Sequence, residues 1–457
     1  MTRVVIVGGG PGGYEAALVA AQLGADVTLV DSDGLGGSAV LTDCVPSKTL
    51  ITVADVMDEV TDSRALGVRF AGEVDVALDV VNERVRQLAT AQSRDVGIHL
   101  EHDGIQVAQG VASLAGPQRV VSTAPDGSEQ VFEADTVLVA TGAKPRELPS
   151  AVPDGERILS WTQLYDLKEL PEQLIVVGSG VTGAEFACAY QALGSAVTLV
   201  SSRDRVLPGE DADAATVLEE VFARRGMNVL ARSRAVGAER TSDGVTLSLE
   251  DGTTVQGSHV LMAVGSAPNT SGMGLESAGV SLDARGYIEV DRVSRTHAPG
   301  VYAAGDCTGV LMLASVAAMQ GRIAMKHALG DAVQPLNLAV VSSNVFTDPE
   351  IATVGITQRQ VDAGEMDVSQ VKLPLSTNAR AKMQDVRDGF VKLFCRPGTG
   401  IVVGGVVVAP RASELIYPVS LAVRLGLTVD QVADAFTVYP SLSGSVSEAA
   451  RQLHNRT

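Results

Sequence analysis

The chain has 457 residues, 46% of them hydrophobic, with a mean hydropathy of +0.20, which suits two to four domains of ~100–200 residues around sizeable cores. A formal net charge of −19 and a pI of about 4.7 give a surface field that repels nucleic acid and anionic membrane and argues against both as partners, while leaving room for local basic pockets that take phosphates. The longest apolar stretch, near residues 401–410, falls far short of the ~20 residues of a spanning helix, so no integral membrane segment is expected.

Met1-Thr2-Arg3 leads straight into a strand-like run, so no signal peptide is expected either. Residues 4–31 read VVIVGGGPGGYEAALVAAQLGADVTLVD: an apolar run, a GxGxxG turn, a segment of helical period and a second apolar run. That is the grammar of a β-α-β dinucleotide-binding unit. Gly8 serves the tight turn, Gly10 the close approach of a pyrophosphate, and Gly13 the packing of helix on sheet. The helix N-terminus offers free N–H groups to the phosphates. Asp31 closes the unit with an acid suited to ribose hydroxyls. Residues 136–142, TVLVATG, read as a buried strand ending in a turn of small residues.

Residues 173–201 read QLIVVGSGVTGAEFACAYQALGSAVTLVS and repeat the first unit at an offset of 170. Gly178, Gly180 and Gly183 repeat the three glycines, and Glu15, Leu23, Gly24 and the run Val27-Thr28-Leu29-Val30 recur as well. Asp31 is matched by Ser201, followed by Ser202, Arg203 and Arg205. With Ser201 in place of the acid a 2′-phosphate is not repelled, and Ser202, Arg203 and Arg205 offer it donors, so NADPH is expected to be preferred to NADH. Two unlike dinucleotide sites in one chain point to two cofactors, and a flavin with a nicotinamide nucleotide is the natural pair.

Residues 260–270, VLMAVGSAPNT, end the second unit, and residues 301–306, VYAAGD, run as a strand into an acid. After about residue 336 the glycine-loop grammar stops. Strand-like runs at 390–394 and 401–408 and helical patterns at 412–425 and 429–436 read as a separate α+β domain. Residues 451–457 are polar and are expected to fray. The cysteines, Cys44, Cys188, Cys307 and Cys395, show no CxxC spacing and read as free thiols of a cytoplasmic protein. The six histidines form no ligand-like cluster, so no metal site is expected.

Taken in order, GGGPGG, CVPSK, ATG, GSGVTG, APNT, YAAGD and FTDPEIATVG resemble the flavoprotein disulfide reductases, the family of lipoamide dehydrogenase and glutathione reductase. The resemblance covers essentially the whole chain. It implies an α/β fold of two Rossmann-like domains, with FAD held by residues 1–150 and 271–335 and NAD(P) by 151–270. It also implies a C-terminal α+β dimerisation domain over 336–457, and therefore a homodimer. By the same resemblance Asp306 contacts the flavin end of FAD, Lys48 and Glu185 form an ion pair beside the flavin N5, and Gly37, Thr141, Gly142 and Gly265 join the cofactor-binding residues.

The departures carry as much information. Where the family has GGTCxxxxCxPSK, residues 36–48 read GGSAVLTDCVPSK, with Cys44 kept and Ala39 in the place of the first cysteine. Where the family has His-Pro-Thr-x-Ser-Glu, residues 439–444 read YPSLSG, with Tyr439 for the histidine and Gly444 for the glutamate. Glu448 lies four residues too far on to replace it. Hydride can enter such a flavin but cannot leave through a dithiol. The pattern resembles the branch that acts as NAD(P)H quinone dehydrogenase, so a quinone or similar small two-electron acceptor is expected. Two alternatives stand beside it: a pyridine-nucleotide transhydrogenase or diaphorase, and a non-catalytic FAD-bound subunit of a dehydrogenase complex. Intact nucleotide loops count against the last. Cys44, at a helix start near a lysine, reads either as a thiol of lowered pKa touching the flavin or as a retained packing thiol. Tyr439 reads either as a donor to a quinone oxygen across the dimer or as a filler of the hole left by histidine.

Overall fold

The computed structural model describes residues 1–72 and 74–454. The sequence repeat folds as a repeat. In the first unit β1 (Arg3–Val7), α1 (Pro11–Gln22), β2 (Asp26–Asp31), α2 (Gly37–Leu41), α3 (Cys44–Ser63), α4 (Leu78–His102), β3 (Gln106–Gln109) and β4 (Thr136–Val139) follow one another. In the second, β5 (Ile158–Leu159) precedes β6 (Gln173–Val177), α5 (Val181–Leu193), β7 (Ala196–Val200), α6 (Ala212–Arg224), β8 (Asn228–Leu230) and β9 (His259–Met262). Strand β10 (Val301–Ala303) then returns to the first sheet and pairs with Val137–Val139.

Both sheets have five parallel strands, in the orders β10-β4-β1-β2-β3 and β5-β9-β6-β7-β8. Even the register is duplicated: Arg3 faces Asp26 and Val7 faces Val30, as Gln173 faces Ala196 and Val177 faces Val200. The central strands β1 and β6 are buried at every position after the first, as parallel strands covered on both faces must be. Helix α7 (Ala314–Ala328) packs closely on α1; a Cβ at Gly321 would strike the carbonyl oxygen of Gly12.

The C-terminal unit is a five-stranded antiparallel sheet: β11 (Ser342–Val345), β12 (Glu350–Gly355), β15 (Val402–Ala409), β14 (Phe390–Cys395) and β13 (Ser369–Pro374), in that spatial order. Its two faces separate by the period of two. Val345, Ile351, Phe390, Phe394, Val406 and Val408 join the core that also holds Leu50 of α3 and Phe186 of α5. Ala352, Val391, Leu393 and Val407 face helices α8 (Tyr417–Leu425) and α9 (Gly444–His454). Lys392 lies on the face turned to the second unit, 3% exposed, with its ammonium 2.8 Å from Asp211 and 2.6 Å from Asp213.

The helix expected over 412–425 is split into Ala412–Leu415 and Tyr417–Leu425, because Pro418 sits in the first turn of the second piece and lacks an N–H for a helix interior. The expected helix over 429–436 stops at Ala433. Residues 451–454 continue α9 rather than fray, since Leu453 is fully buried; residues 455–457 lie outside the described residues. Among the described residues no helix is long and apolar enough to cross a membrane.

Candidate active site

The two nucleotide loops share one geometry. A Cβ at Gly13 would strike the carbonyl oxygen of Gly8, and one at Gly183 that of Gly178, so only glycine lets each helix start this close to its strand. Beyond Gly180 lies open space, and beyond Gly10 only the Gly37 Cα at 3.9 Å from a built Cβ. Neither α1 nor α5 has a side-chain cap, so the first N–H groups of both helices are left for a ligand. Asp31 accepts hydrogen bonds from the N–H of Gly9 (2.6 Å), Asp33 (2.9 Å) and Gly34 (2.6 Å). A carboxylate has about four acceptor sites, so it knots the loop and still retains one for a ribose hydroxyl. A cleft of about 810 Å³ opens at this end, lined by Asp33, Gly34, Leu35, Arg94 and Gly97. Thr141 and Asn269 clamp the ATG turn to the APNT turn: the Thr141 hydroxyl donates to the Asn269 carbonyl (2.8 Å), and the Asn269 amide to the Thr141 carbonyl (3.0 Å). Gly142 and Gly265, both with positive φ, lie beside these turns with no side-chain or backbone atom over them.

Ser201 departs from expectation. Its side chain is fully buried, 2.7 Å from the Ser179 hydroxyl, and accepts the Arg203 N–H at 3.0 Å. A short hydroxyl at the end of a buried strand turns inward and closes the loop, so Ser201 presents nothing to a nucleotide. Ser202 and Arg203 are exposed, and Arg205 is half-buried.

At the other end of the site three distant segments meet. Helix α3 supplies Lys48 and α5 supplies Glu185, 2.8 Å apart. The second Glu185 oxygen accepts the Phe346 N–H at 2.9 Å, and the Lys48 ammonium lies 4.9 Å from the centre of the Phe346 ring. Burial opposes charge on Lys48, but the charge and hydrogen bond of Glu185 outweigh it and hold the lysine above its usual pKa. The pair therefore keeps its proton on nitrogen.

Cys44 begins α3 but is no thiolate. Burial first, then the neighbouring Asp43, push its thiol up to about 11, against the smaller pull of Lys48. This corrects the reading of a lowered pKa: desolvation and adjacent acids outweigh helix end and lysine. Asp306 opens the turn after β10, and its carboxyl accepts no hydrogen bond from any described residue. Burial, then Asp43, push it up to about 6.

Tyr439 and Gly444 stand apart from this cluster. Tyr439 is 86% exposed and forms no hydrogen bond among the described residues, and Gly444 begins α9. Glu448 is held by Arg451 and Gln452 of its own helix, so it is no substitute for the absent acid. Phe346, Asp43 and Tyr165 were not anticipated. Phe346 lies within the FTDPEIATVG motif, and Asp43 at an unspecified position of the cysteine motif.

A family model described as pyridine nucleotide-disulphide oxidoreductase matches residues 2–321, and its dimerisation domain matches residues 341–450. The chain belongs to the pyridine nucleotide-disulphide oxidoreductase family. It is 56% identical over 463 residues to a Mycobacterium tuberculosis protein named NAD(P)H dehydrogenase (quinone), covering 99% of this chain and 94% of that one. It is 35% identical over 451 residues to the dihydrolipoyl dehydrogenase of Chlorobaculum tepidum, covering 98% and 96%. The crystal structure of LpdA from Mycobacterium tuberculosis is similar at a TM-score of 0.95 and 56% identity, over 99% of this chain and 100% of that one. The HOCl-induced flavoprotein disulfide reductase RclA of Escherichia coli, 24% identical, shares the fold at a TM-score of 0.87, over 98% and 99%.

The protein is thus a flavoprotein oxidoreductase whose cofactors are FAD and NAD(P)H. Its residues fit the flavin. The open cradle at Gly10 suits a pyrophosphate, and the unpartnered Asp306 carboxyl suits a hydroxyl of the flavin's side chain.

Proposed function

We propose that this oxidoreductase passes hydride from NAD(P)H by way of FAD to a quinone: NAD(P)H + H⁺ + quinone → NAD(P)⁺ + hydroquinone. The observation that carries the reading is Ala39 in place of the first redox cysteine, which leaves Cys44 without a partner in the motif. The name of the 56% identical relative supports it. Bound FAD supplies the two-electron relay. Lys48, kept cationic by Glu185, stabilises electron density arriving beside it. Gly8, Gly10 and Gly13 with Asp31 hold the FAD, and Gly178, Gly180 and Gly183 with Ser202, Arg203 and Arg205 hold the nicotinamide nucleotide. FAD belongs to residues 1–150 and 271–335, and NAD(P) to 151–270.

Residues 336–457 pair two copies into a homodimer. Tyr417, Leu425, Phe436, Val438 and Tyr439 are large, apolar or aromatic and exposed on this unit, as a covered surface requires. Four free cysteines suit the reducing cytoplasm. Steady-state turnover with NADPH against benzoquinone, lipoamide, glutathione disulfide and NAD⁺ tests the assignment. Quinone turnover well above the other three is expected; robust lipoamide reduction overturns it.

A further inference from the structure

We propose that Asp43 is the acid that protonates the acceptor. The proposal rests on the quinone reading above. Reduction of a quinone takes a hydride and a proton; the hydride comes from NAD(P)H, and the protein must place the proton at the oxygen that gains charge. In this chain neither a second cysteine nor a histidine stands in the motifs that would manage protons.

The place of Asp43 suits the task. It lies on the corner between α2 and α3. That corner starts at Gly37, packed against Gly10 of the pyrophosphate cradle, and ends at Lys48, paired to Glu185. Bound FAD would be held by Gly10 and Gly37 at one end of this segment and by Lys48 at the other, and Asp43 stands between them in the chain. The main chain of Asp43 is pinned: its N–H donates to the Ser38 carbonyl, and its carbonyl accepts the Ser47 N–H, both at 2.7 Å. Its carboxyl is not used. It stands at the N-cap of a 20-residue helix, where aspartate ordinarily binds a backbone N–H, yet it makes no cap bond and no other side-chain hydrogen bond.

A second group points the same way. The Tyr165 hydroxyl, on the turn Trp161–Asp166, is buried with no hydrogen-bond partner among the described residues; burial above all, then the nearby Asp43 and Tyr190, raises its pKa. Two polar groups without hydrogen-bond partners among the described residues therefore lie near one another.

The other groups facing Asp43 are unsuited. Cys44 of α3 holds its proton up to about 11, and burial, then Asp43, raises Tyr165 well above the usual phenol range. Lys48 is committed to Glu185, and Glu185 of α5 spends both oxygens on Lys48 and Phe346. Asp306, after β10, is the acid assigned to the flavin end. For Asp43, burial raises the pKa against the weaker pull of Lys48, so the proton is retained to higher pH than on an ordinary aspartate. In the step, the Asp43 O–H bond breaks as a new O–H bond forms on the reduced quinone. The carboxylate regains a proton from water, to which it is partly exposed.

The test compares benzoquinone with ferricyanide, which takes electrons without a proton. In Asp43→Asn the ratio of quinone to ferricyanide turnover falls by about 10²-fold, at the lower end of general-acid effects. Asp43→Glu restores part of it. Wild-type quinone turnover declines as pH rises through the Asp43 pKa, because only the protonated carboxyl donates; Asp43→Asn loses that limb. Infrared difference spectra of the oxidised holoenzyme show a protonated-carboxyl band that Asp43→Asn removes. An unchanged ratio in an FAD-replete Asp43→Asn protein, or a limb and band that persist in it, overturns the proposal. A wild type that reduces ferricyanide but no quinone overturns the quinone reading first, and this proposal with it.

Discussion

Replacing Lys48 by Met strands Glu185. The Glu185 side chain is 4% exposed and Lys48 is its one cationic partner among the described residues. The Phe346 N–H remains. Breaking one side of a buried pair costs about 3–5 kcal/mol. The 30% exposure of Lys48 and the surviving Phe346 bond place this case near the lower end, ~3 kcal/mol at pH 7. The loss depends on pH. Burial already pushes Glu185 up in the presence of Lys48, and without the lysine it acts with less opposition. The folded pKa then exceeds the unfolded value of about 4.3. The extra stability of the protonated form is complete below that unfolded value and is lost as pH rises toward the folded pKa, by up to ~1.4 kcal/mol per unit. Lys48→Met/Glu185→Gln carries no buried charge, regains most of the loss and has no such slope. Urea unfolding from pH 5 to 8, followed by the fluorescence of Trp161, measures this. Trp161 is the single tryptophan, 6% exposed, in the same core as Leu50 of α3 and Ala184 of α5. A Lys48→Met protein with wild-type stability at every pH, or a double variant less stable than the single one, refutes the argument.

Arg203→Ala with Arg205→Ala lowers kcat/KM for NADPH by roughly 10–100-fold, because charge-assisted hydrogen bonds contribute about 1.5–3 kcal/mol, while NADH changes little. An unchanged preference rejects the 2′-phosphate assignment. Ala39→Cys alone leaves lipoamide reduction near zero for want of proton management, while Ala39→Cys/Tyr439→His/Gly444→Glu gains measurable activity; gel-free disulfide titration and lipoamide turnover decide it. Leu425→Asp, on the exposed face of α8, yields a monomer by sedimentation, and a dimer of wild-type affinity places the interface elsewhere. Tyr439→Phe with full quinone turnover rejects the phenol as a donor.

Much of the fold is legible in the sequence because the repeat is local. A strand, a glycine turn, a helix and a strand lie within some thirty residues, and each glycine answers to a neighbour a few positions away, as Gly13 answers to Gly8. The same holds for the missing thiol at Ala39, which needs only its place in the motif. The resemblance supplied the pairing of Lys48 with Glu185, 137 positions apart.

Three matters were decided only by tertiary contact. Ser201 faces inward because Ser179 and the Arg203 N–H surround it, which a substitution pattern cannot reveal. The Cys44 thiol is neutral because burial and Asp43 overcome Lys48, a balance set by packing from several elements. Phe346 from the C-terminal unit reaches both members of the ion pair. Desolvation and long-range neighbours are sums over the folded chain. A local motif names the residues that matter, but only their enclosure sets which way each polar group faces and which proton it keeps.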